Sequence, residues 1–371
     1  MPIVYPKQWF GRYGLGLGIT PKLLHRRLGF DFGERYHRDL EYRIKTTMEI
    51  DRAVFEAYGH IGLGYENPFP RASVEPYGHR FVSATYGCQS GFAADGEPWS
   101  RPHVLSMDDI EGLLPWTPER FEASEPVRAV LSQVRQLRAH YGPYRVPDQE
   151  FNPHYRGMSS LQNLGSVINT AFSIQGDELF TDCVDHPELV RKLYGNITQL
   201  MLLCLERFSE EDGWPLTDIF VGNCTVAMIS PRQYAALNAP EDRRIMEYAR
   251  SIGARFMMHQ DSNVNPHLES YARMEYVQAF DFGQDTDFEK LGRLCPKAEV
   301  NCILFPSWIA SRPMEDVRCE LQRLMGIGKQ FRRFSFTCLE MDEKLDGEVM
   351  AAFYETFREC AEEASKSAPS F

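Results

Sequence analysis

The chain has 371 residues, 43% of them apolar, and a formal net charge of −12. Such a length supports one large domain or two ordinary ones around a sizeable core, while the acidic balance argues against a nucleic-acid partner. No apolar run approaches the ~18 residues of a membrane helix, and Met1–Lys7 lacks a basic-then-apolar leader, so no membrane role and a cytoplasmic location are expected.

The first 150 residues are irregular. Asp39–Tyr58 has a helical pattern and His60–Gly64 that of a strand. Val74–Ala94 mixes turn residues with alternations such as Arg80-Phe-Val-Ser, which predicts a hairpin. Glu97–His103 is a polar, proline-rich loop, and Tyr141–Gly157, rich in Pro, Tyr and Arg, reads as a lid or a linker. The glycine runs Gly14–Gly18 and Gly62–Gly64 do not have the dinucleotide-binding spacing, and 14–18 follows no convincing strand. From about residue 185 helix and strand alternate. Asp185-His-Pro-Glu188 reads as a capping box. Behind it Leu189, Leu193, Ile197, Met201, Cys204 and Phe208 form a helical apolar stripe. Asp218–Gly222 is a strand. Ser230-Pro-Arg-Gln233 is a second capping box, opening a helix to about Ser251. Strands follow at 254–259, 276–280, 299–305 and 333–337. Helices follow at 266–273, 287–293, 315–325 and 348–364.

This alternation implies parallel strands joined by helical crossovers. The polar motifs Asn223-Cys224, His259–Asp261, Asp281–Asp285, Pro306-Ser307 and Cys338–Glu340 all follow strands. A (β/α)8 TIM barrel collects its reactive groups in that pattern. The expectation is one domain over 1–371. Residues 1–58 form an N-terminal extension with helices, 60–160 the first barrel units with a hairpin insertion, and 160–365 regular βα units. The nine cysteines are scattered, with no Cys-x-x-Cys pair, which argues against a disulfide framework or a zinc ribbon. His259 and Asp261 lie two residues apart in a strand-to-helix loop, as two ligands of one ion can. A hydrogen-bonded loop would leave the same trace.

Leu179–Val190, Ile229–Tyr234 with Pro240, His259-Gln-Asp261 and Phe336-Thr-Cys338 together resemble the uroporphyrinogen decarboxylase superfamily. The likeness is closer to its cobalamin-dependent methyltransferases than to the true decarboxylases. It covers 160–365 and, more loosely, 40–160. The decarboxylases' arginine-rich opening is not matched by Trp9–Gly14; Arg26, Arg27 and Arg71 are the carboxylate-binding candidates. The methyltransferases carry zinc on a His, a Cys and a late Cys. Transferred by position, the resemblance implies a metal on His259, Asp261 and Cys338, with Asp261 a departure from the pattern. The demethylating members' Glu, Glu, His arrangement, counted back from His259, falls on Asn238 and Asn223, both poor ligands.

The resemblance implies methyl transfer between a small substrate and a corrinoid. That corrinoid would arrive on a partner protein, since the chain has no Asp-x-His-x-x-Gly signature. His259, Asp261 and Asn223 are the catalytic candidates. Cys224, Asp285, Tyr65, Arg80 and His103 are the substrate-facing ones. A metal-free lyase and a non-catalytic barrel that binds a small molecule are the alternatives, and a homodimer accords with the superfamily.

Overall fold

The computed structural model describes residues 2–141, 165–213, 215–342, 345 and 347–366. The polar segment 141–157 lies, apart from its first residue, outside them. Among the described residues there are ten strands: β1 Ile3–Val4, β2 Gln8–Phe10, β3 Tyr13–Ile19, β4 Gln89–Gly91, β5 Trp99–Arg101, β6 Asp218–Gly222, β7 Arg255–Gln260, β8 Val277–Gly283, β9 Glu299–Ile303 and β10 Arg333–Met341. One sheet runs β1-β3-β10-β9-β8-β7-β6, with β2 also on β3. From β3 to β6 every neighbouring pair is parallel, whereas β1 and β2 lie antiparallel to β3. Gly16 of β3 and Phe220 of β6, from the two ends of this order, line one interior cavity, so the sheet is curled. Closure into eight parallel strands is not seen among the described residues. Helices pack outside, and the buried apolar side chains form a continuous cluster.

The second half follows the sequence pattern closely. Ser230 caps its helix, accepting from the Gln233 N–H at 3.2 Å while Gln233 accepts from the Ser230 N–H at 3.0 Å. The helical run 231–251 contains a π-helical stretch at Tyr234–Asn238. The stripe Leu189–Phe208 is buried within Pro187–Asp212. The Asp185 box does not form, because a preceding helix, Glu178–Asp185, runs through Asp185.

Three expectations in the first half are corrected. Residues 60–64 form no strand; Gly59–Ile61 is a 3-10 turn, and Gly62 and Gly64 have φ of +75° and +77°. Arg80-Phe-Val-Ser is helical (Gly78–Arg80, Phe81–Ala84), and the hairpin is β4–β5, which begins later. Gly14–Gly18, set aside as a strand, lies within β3, all of whose residues are buried. Glycine is a poor strand former, so its role here is spatial. A Cβ on Gly14 would meet Trp9 at 3.0 Å, and one on Gly16 would meet Lys7 Cγ at 3.1 Å. One on Gly18 would meet Val4 at 3.2 Å and the Leu339 carbonyl oxygen at 2.7 Å. The glycine face therefore admits residues 4–9 against the concave side of the sheet.

Candidate functional site

The carboxyl ends of β6 to β10 open into a cavity of about 360 Å³. β7 alternates, burying Phe256, Met258 and Gln260 and leaving His259 facing inward, in register with Gly222 and Asp281. Its ring packs on Phe220 with centroids 5.2 Å apart. His259 Nδ1 meets Asp281 Oδ2 at 2.7 Å. Asp281 Oδ1 accepts from Asn301 Nδ2 at 2.5 Å. Burial disfavours charge on both, but each stabilises the other. His259 is held well above its usual pKa by the carboxylate, with Cys224 adding to it. Asp281 is pulled below the usual carboxylate range by His259, Asn301 and Lys7.

β6 ends at Gly222, and the chain turns through Cys224–Met228. The Asn223 N–H donates to the His259 carbonyl at 2.7 Å. That turn brings Cys224 to the ring: one ligand atom each from Cys224, His259 and Asp261 lie within 4.8 Å of one another. Asp261 Oδ2 is 4.0 Å from His259 Nε2, and its side chain is 49% exposed. Glu340 also lines the cavity; burial together with Glu97 and Asp261 raises its carboxyl.

Several candidate residues fall elsewhere. Cys338 is buried, but Ser335, Thr337 and Leu339 are the β10 residues that face inward, so alternation turns Cys338 toward the helices, away from His259. Asn223 is fully buried and points outward, where its Nδ2 donates to Asp242 Oδ2 at 2.7 Å. Asn238 and Tyr234 donate to the same oxygen, both at 2.9 Å. Burial holds Asp242 up at about 7 despite these donors. Tyr65 packs on Tyr5 and Arg71, outside the cavity lining. Arg80 is tied to Ser173 Oγ at 3.0 Å. His103 and Asp285 are exposed and line no part of the cavity.

Other lining residues went unread in the sequence. Phe220 and Phe305 supply aromatic walls, and Tyr36, His37 and Glu75 come from the N-terminal third. Burial pulls His37 down to about 4, so it is neutral near pH 7. Arg71 is the sole Arg or Lys among the described residues lining this cavity. Its guanidinium is held by Asp51 through Nε at 2.7 Å and Nη2 at 2.5 Å. Phe220 and Phe305 lie on strands the sequence predicts and Arg71 is one of its carboxylate-binding candidates, whereas Tyr36, His37 and Glu75 sit in no strand-end motif and only the folded chain brings them to the cavity.

Reactive groups gathered at the carboxyl ends of parallel strands, with helices outside, define the α/β class in which strand-end loops build the site. The chain belongs to the Uroporphyrinogen decarboxylase (URO-D) family, whose profile matches residues 76–333. A solved methyltransferase from Methanosarcina mazei shares the fold, with a TM-score of 0.58 over 93% of each chain at 12% identity. No curated protein sequence matches the chain.

Proposed function

We propose that this protein is a methyltransferase moving a methyl group between a small substrate and a corrinoid carried on a separate protein. The observation that carries the reading is the convergence of Cys224, His259 and Asp261 beside the cavity. Sulfur, imidazole nitrogen and carboxylate oxygen, with a fourth position open, suit catalytic zinc. Ligands at about 2.0–2.3 Å around a tetrahedral centre stand ~3.3–3.8 Å apart. The 4.0 Å between His259 Nε2 and Asp261 Oδ2 closes with a small shift of the half-exposed carboxylate. A metal held there supplies Lewis acidity, activating a thiol acceptor or polarising a leaving oxygen. In this reading Cys224 takes the place the resemblance assigned to Cys338.

The chain's own residues do the rest. Asp281 occupies His259 Nδ1 and so leaves Nε2 to face the cavity. Phe220, Phe305 and Leu339 exclude water around the reacting carbon. A complete (β/α)8 barrel in one domain would leave its carboxyl face open for the corrinoid protein to dock. Against the metal-free lyase reading stands the charge of the lining. A porphyrinogen with many carboxylates needs several guanidinium clamps, whereas Arg71 is engaged by Asp51 and the lining also carries Glu75, Glu97 and Glu340.

Purification without chelator followed by elemental analysis tests the reading, together with methyl transfer between free cobalamin and a panel of thiols, methoxyaromatics and methylamines. The expected result is about one zinc per chain, and loss of transfer when it is stripped. Zinc well below one equivalent with transfer intact would remove the metal. No transfer across the panel would remove the methyltransferase.

A further inference from the structure

Beneath the site lies a second cavity of about 100 Å³, walled by inward residues of the sheet and by the N-terminal segment. Into it reaches Lys7, from a stretch that precedes the part of the chain matched by the family profile. Lys7 Nζ donates to Asn301 Oδ1 at 2.7 Å and to Ser335 Oγ at 2.8 Å. Asn301 Nδ2 in turn donates to Asp281 Oδ1 at 2.5 Å and to Thr337 Oγ1 at 2.7 Å. Asp281 Oδ2 then meets His259 Nδ1 at 2.7 Å. A hydrogen-bonded line thus runs from the N-terminal segment to the imidazole.

We infer that Lys7 is a positioning residue for the site: it fixes which way the Asn301 amide faces, and through Asn301 and Asp281 it fixes which nitrogen of His259 is presented to the cavity. The argument is one of hydrogen-bond inventory. An amide can turn over, exchanging oxygen for nitrogen, but an ammonium only donates. With Lys7 beside it, Asn301 must offer Lys7 its oxygen, and Nδ2 is left for Asp281. Asp281, receiving a donor on Oδ1, then takes the Nδ1 proton of His259 on Oδ2, and Nε2 is the nitrogen turned toward Cys224 and Asp261. Without Lys7 the Asn301 oxygen loses its strongest donor. The turned amide would set that oxygen against the Asp281 carboxylate, and the imidazole would lose its fixed orientation. The glycine face of β3 makes the arrangement possible, since a Cβ at Gly16 would fall 3.1 Å from Lys7 Cγ. Burial lowers Lys7 to about 8, with Asp281 opposing that shift, so most of the population keeps its proton near pH 7.

The inference rests on the metal reading above, and its test separates the two. Lys7→Met and Asn301→Leu are compared with the unaltered protein in two measurements: zinc affinity by chelator competition, and the ring-nitrogen chemical shifts of His259 in metal-free protein at one fixed pH. Both variants should keep the thermal transition of a folded chain and bind zinc about tenfold more weakly, the scale of a lost outer partner. Their His259 should change from one pair of ring-nitrogen shifts, set by the Nδ1–Asp281 contact, to a mixture. Zinc affinity within about twofold of the unaltered protein, with unchanged nitrogen shifts, would overturn it. If the unaltered protein binds no zinc, the metal reading falls, and the nitrogen shifts alone decide the role of Lys7. Should Lys7→Met not fold, Lys7→Gln, which keeps a donor on a shorter stem but can also turn over, should give a smaller shift in the same direction.

Discussion

Cys338 misses the site by a single step in strand phase. His259 and Asp261 were legible because both follow an apolar run with a turn behind it. Cys338 was placed beside them on the premise that its strand ends at Thr337. β10 instead continues to Met341, so Cys338 keeps the parity of Phe334 and Phe336 and faces the helices; in a strand, one residue of slip exchanges the faces. Cys224→Ser should therefore lower zinc affinity at least tenfold with little change in thermal midpoint. Cys338→Ser should leave zinc bound and lower the midpoint, because it puts a hydroxyl in an apolar setting. Metal stoichiometry and a melting curve on each variant check both. Asp242 makes a second residue-level prediction. Its folded pKa, about 7, lies above the ordinary 3.8. Its contribution to stability is thus complete below about pH 3.8 and is lost as pH rises toward 7, at up to about 1.4 kcal/mol per pH unit. Asp242→Asn should flatten that part of the stability–pH curve; an unchanged slope would show that other groups carry it.

Elements were legible where local chemistry and tertiary packing agreed. β6 and the Ser230 capping box lie where the pattern put them, and β7 is displaced by one residue, since hydrophobic run, cap and turn all point the same way there. β3 was not legible, because three glycines in seven residues look like a loop to any propensity argument. Their use is visible only once residues 4–9 lie across them. The same arrangement gives a sharp expectation. On Gly18 a Cβ would stand 2.7 Å from the Leu339 carbonyl oxygen, a backbone atom that cannot swing aside. Gly18→Ala should cost ~1–3 kcal/mol, as overpacking does, and should open the N-terminal segment to protease. Urea unfolding and limited proteolysis read the two effects; an unaltered midpoint and cleavage pattern would show that the segment has room to spare.

At the scale of the molecule, the sequence predicts parallel strands closed into a (β/α)8 barrel, and the described residues show the parallel strands in one curled sheet; from the first 75 residues it marks only Arg26, Arg27, Arg71 and Tyr65. Tyr36, His37, Arg71 and Glu75 line the cavity, and no strand-end motif marks them. The Arg71–Asp51 pair ties this wall to the long helix Leu40–Tyr58, with side chains 7% and 0% exposed. Arg71→Met leaves a carboxylate buried without its guanidinium and should cost about 3–5 kcal/mol; denaturant unfolding measures it, and a loss below 1 kcal/mol would mean that Asp51 finds another partner. The pairing of β3 with β10 sets a further condition, on the birth of the protein. Residues 13–19 leave the ribosome early, yet the strand beside which they lie in parallel is residues 333–341. At roughly 5–20 residues per second, that strand follows on the order of tens of seconds later. Through that interval the glycine-rich strand has only β1 and β2 to pair with, and the lysine that will sit beneath the imidazole lacks Ser335. The Lys7 contacts can be assembled only once residue 335 has been made.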